Sequence, residues 1–521
     1  MIVEPLLDRA SSRALDTALV AAGVGSVILM ENAGRGAADA IREVCAGSAI
    51  RRAVVFAGPG NNGGDGYVVA RQLVRTGWEV VVASSVDPAG LRGDAATMRD
   101  AWRAAGRSIA FPHTTVDGRL LGDFLRADSV VVDALFGTGL ARPLEGAALE
   151  IIRRCRAGDA ALRFALDVPS GVDADTGDAL GGEDNVFPAE HTLTFGTSKP
   201  GLHTGIGARM AGTVHVVHLG VPIAPSPTAV LVLDARVSRR RSDTHKGDHG
   251  RVIIVGGSAG TTGAALLAAR GAHRAGAGLV TVAARDPSAL VGRLGETMTF
   301  ALEGDRATLA AALARRLGNA CGVVGPGMGL DAWARDVLDA ALDSASPLVL
   351  DADALTILGE RGSLDRPGTR VLTPHPLELA RLLGGGVDAP AVQRDRIAAA
   401  RAAAERYRSI VVLKGAGTIV VGTGEKPAII PVNEPALGVG GSGDVLAGVI
   451  AARIAEATAT STFAAVVEGV WAHAHAGRAL ALRTGVSRGA LASEIADEVP
   501  RVLEQGPPQN RTSARGGYPP V

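Results

Sequence analysis

Apolar positions along this chain come in short runs, and the stretches between them carry helical spacing. In the first half the runs are Ala53–Ala57, Glu79–Ala83, Ser129–Asp133 and Arg163–Asp167, with further strand candidates at His191–Phe195 and Thr213–His218. Helical patterns fill Tyr67–Arg75 and Leu144–Arg156. The second half repeats the alternation at Arg251–Val255, Leu279–Ala283, Gly322–Gly325, Leu348–Asp351 and Ile410–Lys414. Strands alternating with helices predict α/β layers around mostly parallel sheets. Three prolines in VPIAPSPTAV, Val221 to Val230, mark the break, since each fixes φ and removes a donor. The expected organisation is a domain over 1–225, a linker over 226–240, a domain over 241–506 and a disordered tail over 507–521. The basic run Arg239–Arg241 reads as solvated surface.

A chain of 521 residues is too long for one core, which agrees with two domains. Lys plus Arg and Asp plus Glu are 53 each, so no positive excess favours nucleic acid as a partner. Aromatics at 3% offer few platforms for stacking bases. Cys45, Cys155 and Cys321 lie far apart and form no CxxC pair, which fits a reducing cytoplasm. The opening residues lack a basic segment leading into an apolar run, and Arg270, His273 and Arg274 interrupt the most apolar region, so neither a signal peptide nor a membrane span is expected.

The first candidate chemistry is GPGNNGGDGY, Gly58 to Tyr67, read as a glycine turn between a strand and a helix. Bare backbone N–H groups and the helix dipole there suit an anion. Gly58, Gly60 and Gly63 satisfy GxGxxG, with Asp87 placed as a ribose-binding acid would be, so a dinucleotide-binding dehydrogenase is one reading. Against it, Asp65 would repel a pyrophosphate, and Asn61 and Asn62 add amide oxygens suited to a cation, a ribose or an amide. A tight turn without ligand is the third reading. Two more strand ends carry oxygen-rich loops: Asp133, followed by Gly137 to Pro143, and Asp167 with Ser170. Ligands of open α/β sheets gather beyond the carboxyl ends of strands, so the three loops are expected to converge.

The second half carries GPGMG (Gly325 to Gly329), DADAL from Asp351, TPHPLELA around His375, VVLKGAGTIV around Lys414, and GVGGSGDVLAG, Gly438 to Gly448. The last element puts Asp444 in the first turn of a helix. There the N–H groups of Gly441 to Gly443 can hold a phosphate and Asp444 can act as a base; the rival reading makes Asp444 only a cap. His375, between two prolines, is held in a rigid turn. Lys414 opens a glycine turn and could reach a phosphate as a point charge. There is no GxxxxGK[ST], hence no P-loop.

These motifs carry a resemblance. GPGNNGGDG, DALFGTGLARP, DVPSG and TFGTSKPG resemble the NAD(P)H-hydrate epimerase family over about residues 10–220. HKGDHGRVIIVGGS, TGAALLAA, TPHPLE, VLKGAGT and GGSGDVLAG resemble the ADP-dependent NAD(P)H-hydrate dehydratases, within the ribokinase-like superfamily, over about 241–505. The resemblance implies a Rossmann-like doubly wound domain followed by a ribokinase-like one, both three-layer α/β. It implies a potassium ion on Asn62, Asp133 and Ser170, and epimerase substrate contacts from Asn61, Asn62, Gly63, Gly64, Asp65, Gly137, Thr138, Gly139, Leu140, Ala141, Arg142, Pro143 and Asp167. Asp167 is the first candidate for the epimerising base. In the second domain it implies AMP-moiety contacts from Lys414, Gly415, Ala416, Gly417, Thr418 and Gly443. Hydrated-cofactor contacts fall to Ala264 or its neighbour Ala265, Gly327 or Gly329, His375 and Asp444. ADP as co-substrate and magnesium come with it, as do NADHX and NADPHX as substrates and assembly as a homo-oligomer, with neither nucleic acid nor membrane as partner.

The chemistry hangs together. Hydration of the dihydronicotinamide ring leaves a hydroxyl on a carbon next to nitrogen, and a fold for phosphoryl transfer can turn that hydroxyl into a leaving group. Such a site accepts one configuration, and an epimerase supplies it from the other. Two alternatives from other classes are a small-molecule kinase fused to a dehydrogenase, and a nucleotide-sensing protein without turnover.

Overall fold

A computed structural model describes residues 1–507, apart from 112–114, 117–118, 121–124, 223–225, 291–294, 365, 367 and 457–460. The tail expected over 507–521 therefore lies, beyond its first residue, outside the described residues. The described chain divides into two compact units, Pro5–Ala229 and Met1–Glu4 with the described residues from Val230 to 507. Among the described residues no helix is long and apolar enough to cross a membrane. All three cysteines are buried and free.

In the first unit, valine-rich segments such as EVVVAS and SVVVDA form strands because β-branched side chains fit a sheet covered on both faces. Six strands run parallel in the order Glu79–Ser84, Arg52–Ala57, Ser129–Ala134, Leu162–Leu166, His191–Phe195, Thr213–Val217. Their side chains alternate between two cores. Val55, Val130, Val132 and Phe164 meet Ile41, Val68, Leu73 and Trp102 on one face, while Val54, Phe56, Val131 and Ala165 meet Ile151 and Ile152 on the other. The chain runs outward after Arg52–Ala57 and returns on its other side at Ser129–Ala134. That reversal opens a crevice at the carboxyl ends of these two strands, where α/β sheets hold ligands.

The glycine segment departs from expectation. The helix begins at Asn61 and runs to Arg75, so Asn61 to Asp65 form its first turns and not a loop. A glycine inside a helix costs about 1 kcal/mol relative to alanine, which favours the loop reading. Tertiary packing reverses it: a Cβ on Gly63 would stand 2.2 Å from the Gly58 carbonyl oxygen, and one on Gly66 2.6 Å from Ala134 Cβ. The glycines let the helix press onto the strand ends.

The second unit has an eleven-stranded sheet. From Met298–Ala301 its order continues through Leu279–Ala284, Arg251–Val255, Cys321–Val324, Leu348–Leu350, Arg370–Leu372 and Ile410–Leu413, all parallel. Thr418–Val421 and Ala428–Ile430 then continue antiparallel, Ala229–Asp234 follows parallel, and Ile2–Leu6 ends the order. Here too the chain reverses direction across the sheet, between Arg251–Val255 and Cys321–Val324, and opens a second crevice. The helix Ser442–Glu456, apolar nearly all round, lies in the core against Thr262–Arg274, Thr462–Thr484 and Ala492–Gln505.

The strand Ala229–Asp234 falls where the sequence suggests a linker over 226–240, because the prolines before it mask the short apolar run AVLVLD. Met1–Glu4, expected in the first domain, groups with the second unit. The basic run is a paired surface: Arg239 lies 3.9 Å from Glu504, Arg240 2.9 Å from Glu456, and Arg241 pairs with Asp243.

Two candidate active sites

The crevice of the first unit holds a cavity of about 430 Å³. Asn61, Asn62 and Asp65 reach it from the helix Asn61–Arg75, Gly137 to Leu140 from the loop after Asp133, and Asp167 from the end of the next strand. The expected convergence of these segments is present. Asp87 is not on the cavity wall; its carboxylate accepts the Ala89 N–H at 2.9 Å and caps an exposed turn, which removes the acid of the dehydrogenase reading.

Asp167 sits in the left-handed region, at φ 62°, a conformation costly for any residue but glycine. Its Oδ2 accepts the Thr138 N–H at 2.8 Å and its Oδ1 the Lys199 ammonium at 2.7 Å. Lys199 is buried and also donates to Thr194 Oγ1, at 2.9 Å, and to the carbonyls of Phe195 and Thr197, both at 3.1 Å. Burial works to raise the Asp167 carboxyl, but Lys199 and the Thr138 N–H outweigh it and hold the acid below its ordinary value. Asp65 is driven the other way. Burial first, then the charges of Asp167 and Asp16, push it well above the carboxylate range. Two carboxyls shifted in opposite directions on one cavity wall are the pattern of an acid paired with a base.

Asp133 and Ser170 are brought together behind the cavity wall. Ser170 Oγ–H donates to Asp133 Oδ1 at 2.8 Å and Ser170 N–H to Oδ2 at 2.8 Å, while Leu135 N–H reaches Oδ1 at 3.1 Å. Burial pushes Asp133 up to about 6 despite these donors. Asn62 is buried, and neither its oxygen nor its nitrogen has a hydrogen-bond partner among the described residues. An unmet buried amide costs about 1–3 kcal/mol, so a ligand is the ordinary explanation. Its amide oxygen, a buried carboxylate and a hydroxyl form a set that suits a hard, weakly charged cation.

Lys199 and Arg9 belong to this site and escaped the sequence reading. Lys199 lies in TFGTSKPG, where a lysine just beyond an apolar strand was a usable signal. Arg9 has none nearby, yet it steadies the Gly137–Pro143 loop by donating to the carbonyls of Thr138, at 2.7 Å, and Leu140, at 2.8 Å.

The second site gathers around Lys414. Its Nζ donates to Asp351 Oδ1 at 3.0 Å and lies 3.7 Å from Glu378 Oε2. Thr373 Oγ1 donates to the same Asp351 oxygen at 2.8 Å. Burial alone would lower Lys414; the two carboxylates outweigh it and raise the ammonium's value. A Cβ on Gly443 would stand 3.2 Å from Lys414 Nζ, so the bare glycine leaves the ammonium its room. Next to Asp351, Ala352 is strained at φ 49°, and Asp353 accepts the Gly329 N–H at 2.8 Å, tying the Gly325–Gly329 loop to the cluster. Gly327 in turn accepts from Thr261 Oγ1 at 2.9 Å, and Thr261 O accepts the Ala264 N–H at 3.2 Å. Ala264 and Gly327 thus meet at one residue.

Asp444 occupies the first turn of Ser442–Glu456, inside the helix and not at its cap. Burial, then the charge of Asp351, pushes it up to about 7, with Lys414 pulling the other way and Asp353 and Glu378 adding to the rise. A carboxyl near neutrality is suited to general-base work. Ser442 Oγ lies 3.1 Å from His473 Nε2, which anchors the helix start. Of the expected phosphate-binding amides, that of Ser442 already donates to Val439 O at 3.3 Å. His375, expected in a rigid turn, is the N-cap of the helix Pro376–Leu383. Arg396, missed in the sequence, is buried and donates to the carbonyls of Leu413, at 3.2 Å, and Lys414, at 3.3 Å, bracing the turn that carries Lys414 to Thr418.

Comparison with known proteins agrees with both halves. Residues 252–501 match the family model described as NAD(P)H-hydrate dehydratase, and residues 26–201 match that of the YjeF-related protein N-terminus. The bifunctional NAD(P)H-hydrate repair enzyme Nnr of Escherichia coli (strain K12) is 35% identical over 478 residues, covering 90% of this chain and 88% of its own length. Its counterpart from Moorella thermoacetica is 36% identical over 516 residues, covering 92% and 93%. A crystal structure of the ADP/ATP-dependent NAD(P)H-hydrate dehydratase from Bacillus subtilis, obtained with ATP and magnesium, is 27% identical, covers 51% of this chain and 94% of its own, and has a TM-score of 0.44.

Proposed function

We propose, for a chain that belongs to the family of bifunctional NAD(P)H-hydrate repair enzymes, that its first unit interconverts the R and S epimers of NADHX and NADPHX. The second unit then dehydrates the S epimer with ADP, releasing AMP and phosphate. The observation that carries the second half is Asp444, a half-buried carboxyl at about 7 among Asp351, Lys414 and Gly443 at the start of a buried helix.

In the second unit Asp444 takes the proton of the ring hydroxyl as that oxygen attacks the terminal phosphorus of ADP. A P–O bond forms, the anhydride P–O bond breaks and AMP leaves. Phosphate then departs from the ring carbon, pushed by the electrons of the ring nitrogen, and takes up the proton that the adjacent carbon loses as the double bond forms. Lys414 holds nucleotide phosphate, and the amides around Gly443 steady the transferred group. Asp351, Glu378 and Asp444 act on Lys414, and Asp353 acts in turn on Asp444, a carboxylate surplus that fits magnesium, which binds one or two carboxylates beside substrate phosphates. When bound, magnesium neutralises phosphate charge.

In the first unit Asp167, held ionised by Lys199, is the base, and Asp65 carries the matching proton. Asn62, Asp133 and Ser170 would hold potassium, whose positive charge would relieve the buried Asp133 carboxylate. The unpartnered Asn62 amide supports that assignment.

The test uses purified full-length protein and chemically hydrated NADH, with and without ADP, followed by the return of nicotinamide absorbance. ADP-dependent recovery with stoichiometric AMP is expected. Recovery that is indifferent to ADP, or hydride transfer by the protein, would overturn the reading.

A further inference from the structure

We propose that Arg13, on the helix Arg9–Ala21, is the phosphate-recognising residue of the first site. It binds a phosphate group of the dinucleotide substrate, the bridging pyrophosphate or the 2′-phosphate, while Asp65 and Asp167 act on the ring. The identity of that substrate rests on the epimerase reading.

A helix of 13 residues on a globular unit ordinarily buries an apolar stripe; this one buries none of its residues. It is held by its first turn instead. Asp8 caps it by accepting the Ser11 N–H at 2.8 Å, and Arg9 donates its own N–H to Asp175 Oδ1 at 2.6 Å and Nη2 to Asp173 Oδ2 at 2.9 Å. Those anchors set Ser12, Arg13, Leu15 and Asp16 on the wall of the cavity. Spacings of three and four place them on one helix face. Apolar packing does not account for three polar residues turned to a cavity; a polar ligand does.

The charges on that wall select its chemistry. Three carboxyls line the cavity, Asp16, Asp65 and Asp167, against two cations, Lys199 and Arg13. Lys199 is taken up by four acceptors of the protein itself. The Arg13 guanidinium has no hydrogen bond and no ion pair among the described residues, not even with Asp16 three residues on. Arg9, one turn earlier, is the contrast: its guanidinium is consumed by the carbonyls of Thr138 and Leu140 and by Asp173. A forked, permanently charged group left free and exposed at a cavity matches a phosphate. An anionic substrate needs it, because the three carboxyls would otherwise repel the phosphates. Arg142, the cation that the sequence offers in the Gly137–Pro143 loop, is not on the wall. One residue before Arg13, the Ser12 hydroxyl is shut from solvent and has no partner among the described residues. A phosphate oxygen beside Arg13 would give it an acceptor.

The test uses full-length protein without ADP, so that the second site stays idle, and follows interconversion of resolved R and S forms by chromatography. Three substrates are compared: hydrated NADH, hydrated NADPH and hydrated reduced nicotinamide riboside, which carries no phosphate. Arg13→Gln should raise KM about 10–100-fold, the range of lost charged hydrogen bonds, with kcat and Tm near parental. An equal rise for both dinucleotides assigns the bridging pyrophosphate to Arg13, and a rise confined to hydrated NADPH assigns the 2′-phosphate. On the riboside, kcat/KM should be the same in variant and parent. Arg13→Lys, which keeps the charge but not the fork, should fall between the two. Parental KM values of Arg13→Gln for both dinucleotides, or an equal loss on the riboside, would overturn the proposal. A parent that interconverts no epimers refutes the epimerase reading itself; an active parent matched by Arg13→Gln refutes the role of Arg13 alone.

Discussion

The two sites use the same parts to different ends. Each lies where its sheet reverses direction, and each has an aspartate beyond a strand paired with a lysine: Asp167 with Lys199 at 2.7 Å, Asp351 with Lys414 at 3.0 Å. Each has a residue strained at positive φ beside that pair, Asp167 itself or Ala352, and each has a second carboxyl pushed upward, Asp65 or Asp444. The lysines differ. Lys199 is 3% exposed and surrounded by four acceptors, so its charge is spent inside the protein. Lys414 keeps 21% of its side chain exposed beside a glycine and so retains a free approach for an anion. On the proposed reading, the ion pair sealed in the wall serves proton transfer and the one left open serves a phosphate.

The sharpest way to separate the two sites is Asp444→Asn. Asn fills the same volume but cannot take the proton, so dehydration should fall about 10²–10⁴-fold while ADP binding and epimerisation persist. A variant within about threefold of the parent rate would remove Asp444 from the mechanism. The lysines come next. Lys199→Met leaves Asp167 buried and unpaired and should cost about 3–5 kcal/mol in denaturant unfolding, recovered in part by adding Asp167→Asn. Lys414→Met should cost less stability but weaken ADP binding about 10–100-fold, the range of a lost charged hydrogen bond. Equal stability losses for the two lysine variants would break the comparison.

These predictions draw unequally on what the sequence made legible. The strand ends at Asp133, Asp167 and Asp351 and the turns around Lys414 and Asp444 could be read, because each follows an apolar run and precedes glycines. Arg370–Leu372 and Ala428–Ile430 were not legible: three residues give no periodicity, and neither ends on the aspartate that marked the equally short Leu348–Leu350. The helical state of Asn61–Asp65 was hidden because local propensity pointed to a loop, and only the approach of Gly63 to Gly58 explains it. Arg396 acts through the distant carbonyls of Leu413 and Lys414, which leave no mark on its neighbours, whereas Lys199, beyond an apolar strand, carried a signal although its partner Asp167 is distant in sequence.

Asp133 sharpens the comparison through the cation. Asp133→Ala should weaken potassium binding and slow epimerisation while ADP-dependent dehydration continues. Because burial holds Asp133 at about 6 in the folded state, above its unfolded value, the fold binds more protons than the unfolded chain below that pH. Stability without a cation should therefore fall as pH rises from about 4 to 6. Potassium, which binds the ionised form, should flatten that fall. A melting series in potassium and in tetramethylammonium chloride decides it, and identical curves would count against the ion. The smallest effect is the acid limb of dehydration. With Asp444 at about 7, kcat should decline below neutrality while the epimerase rate, set by Asp167, holds to lower pH.

The central claim, two independent sites acting on two epimers, is tested most directly by complementation. Asp167→Asn and Asp444→Asn are prepared in the full-length chain and given resolved R and S hydrated NADH with ADP, at a pH where spontaneous epimerisation is slow. Asp167→Asn should restore absorbance from S alone, Asp444→Asn from neither, and their mixture from both. Repair of the R form by Asp167→Asn at the parental rate would contradict the account.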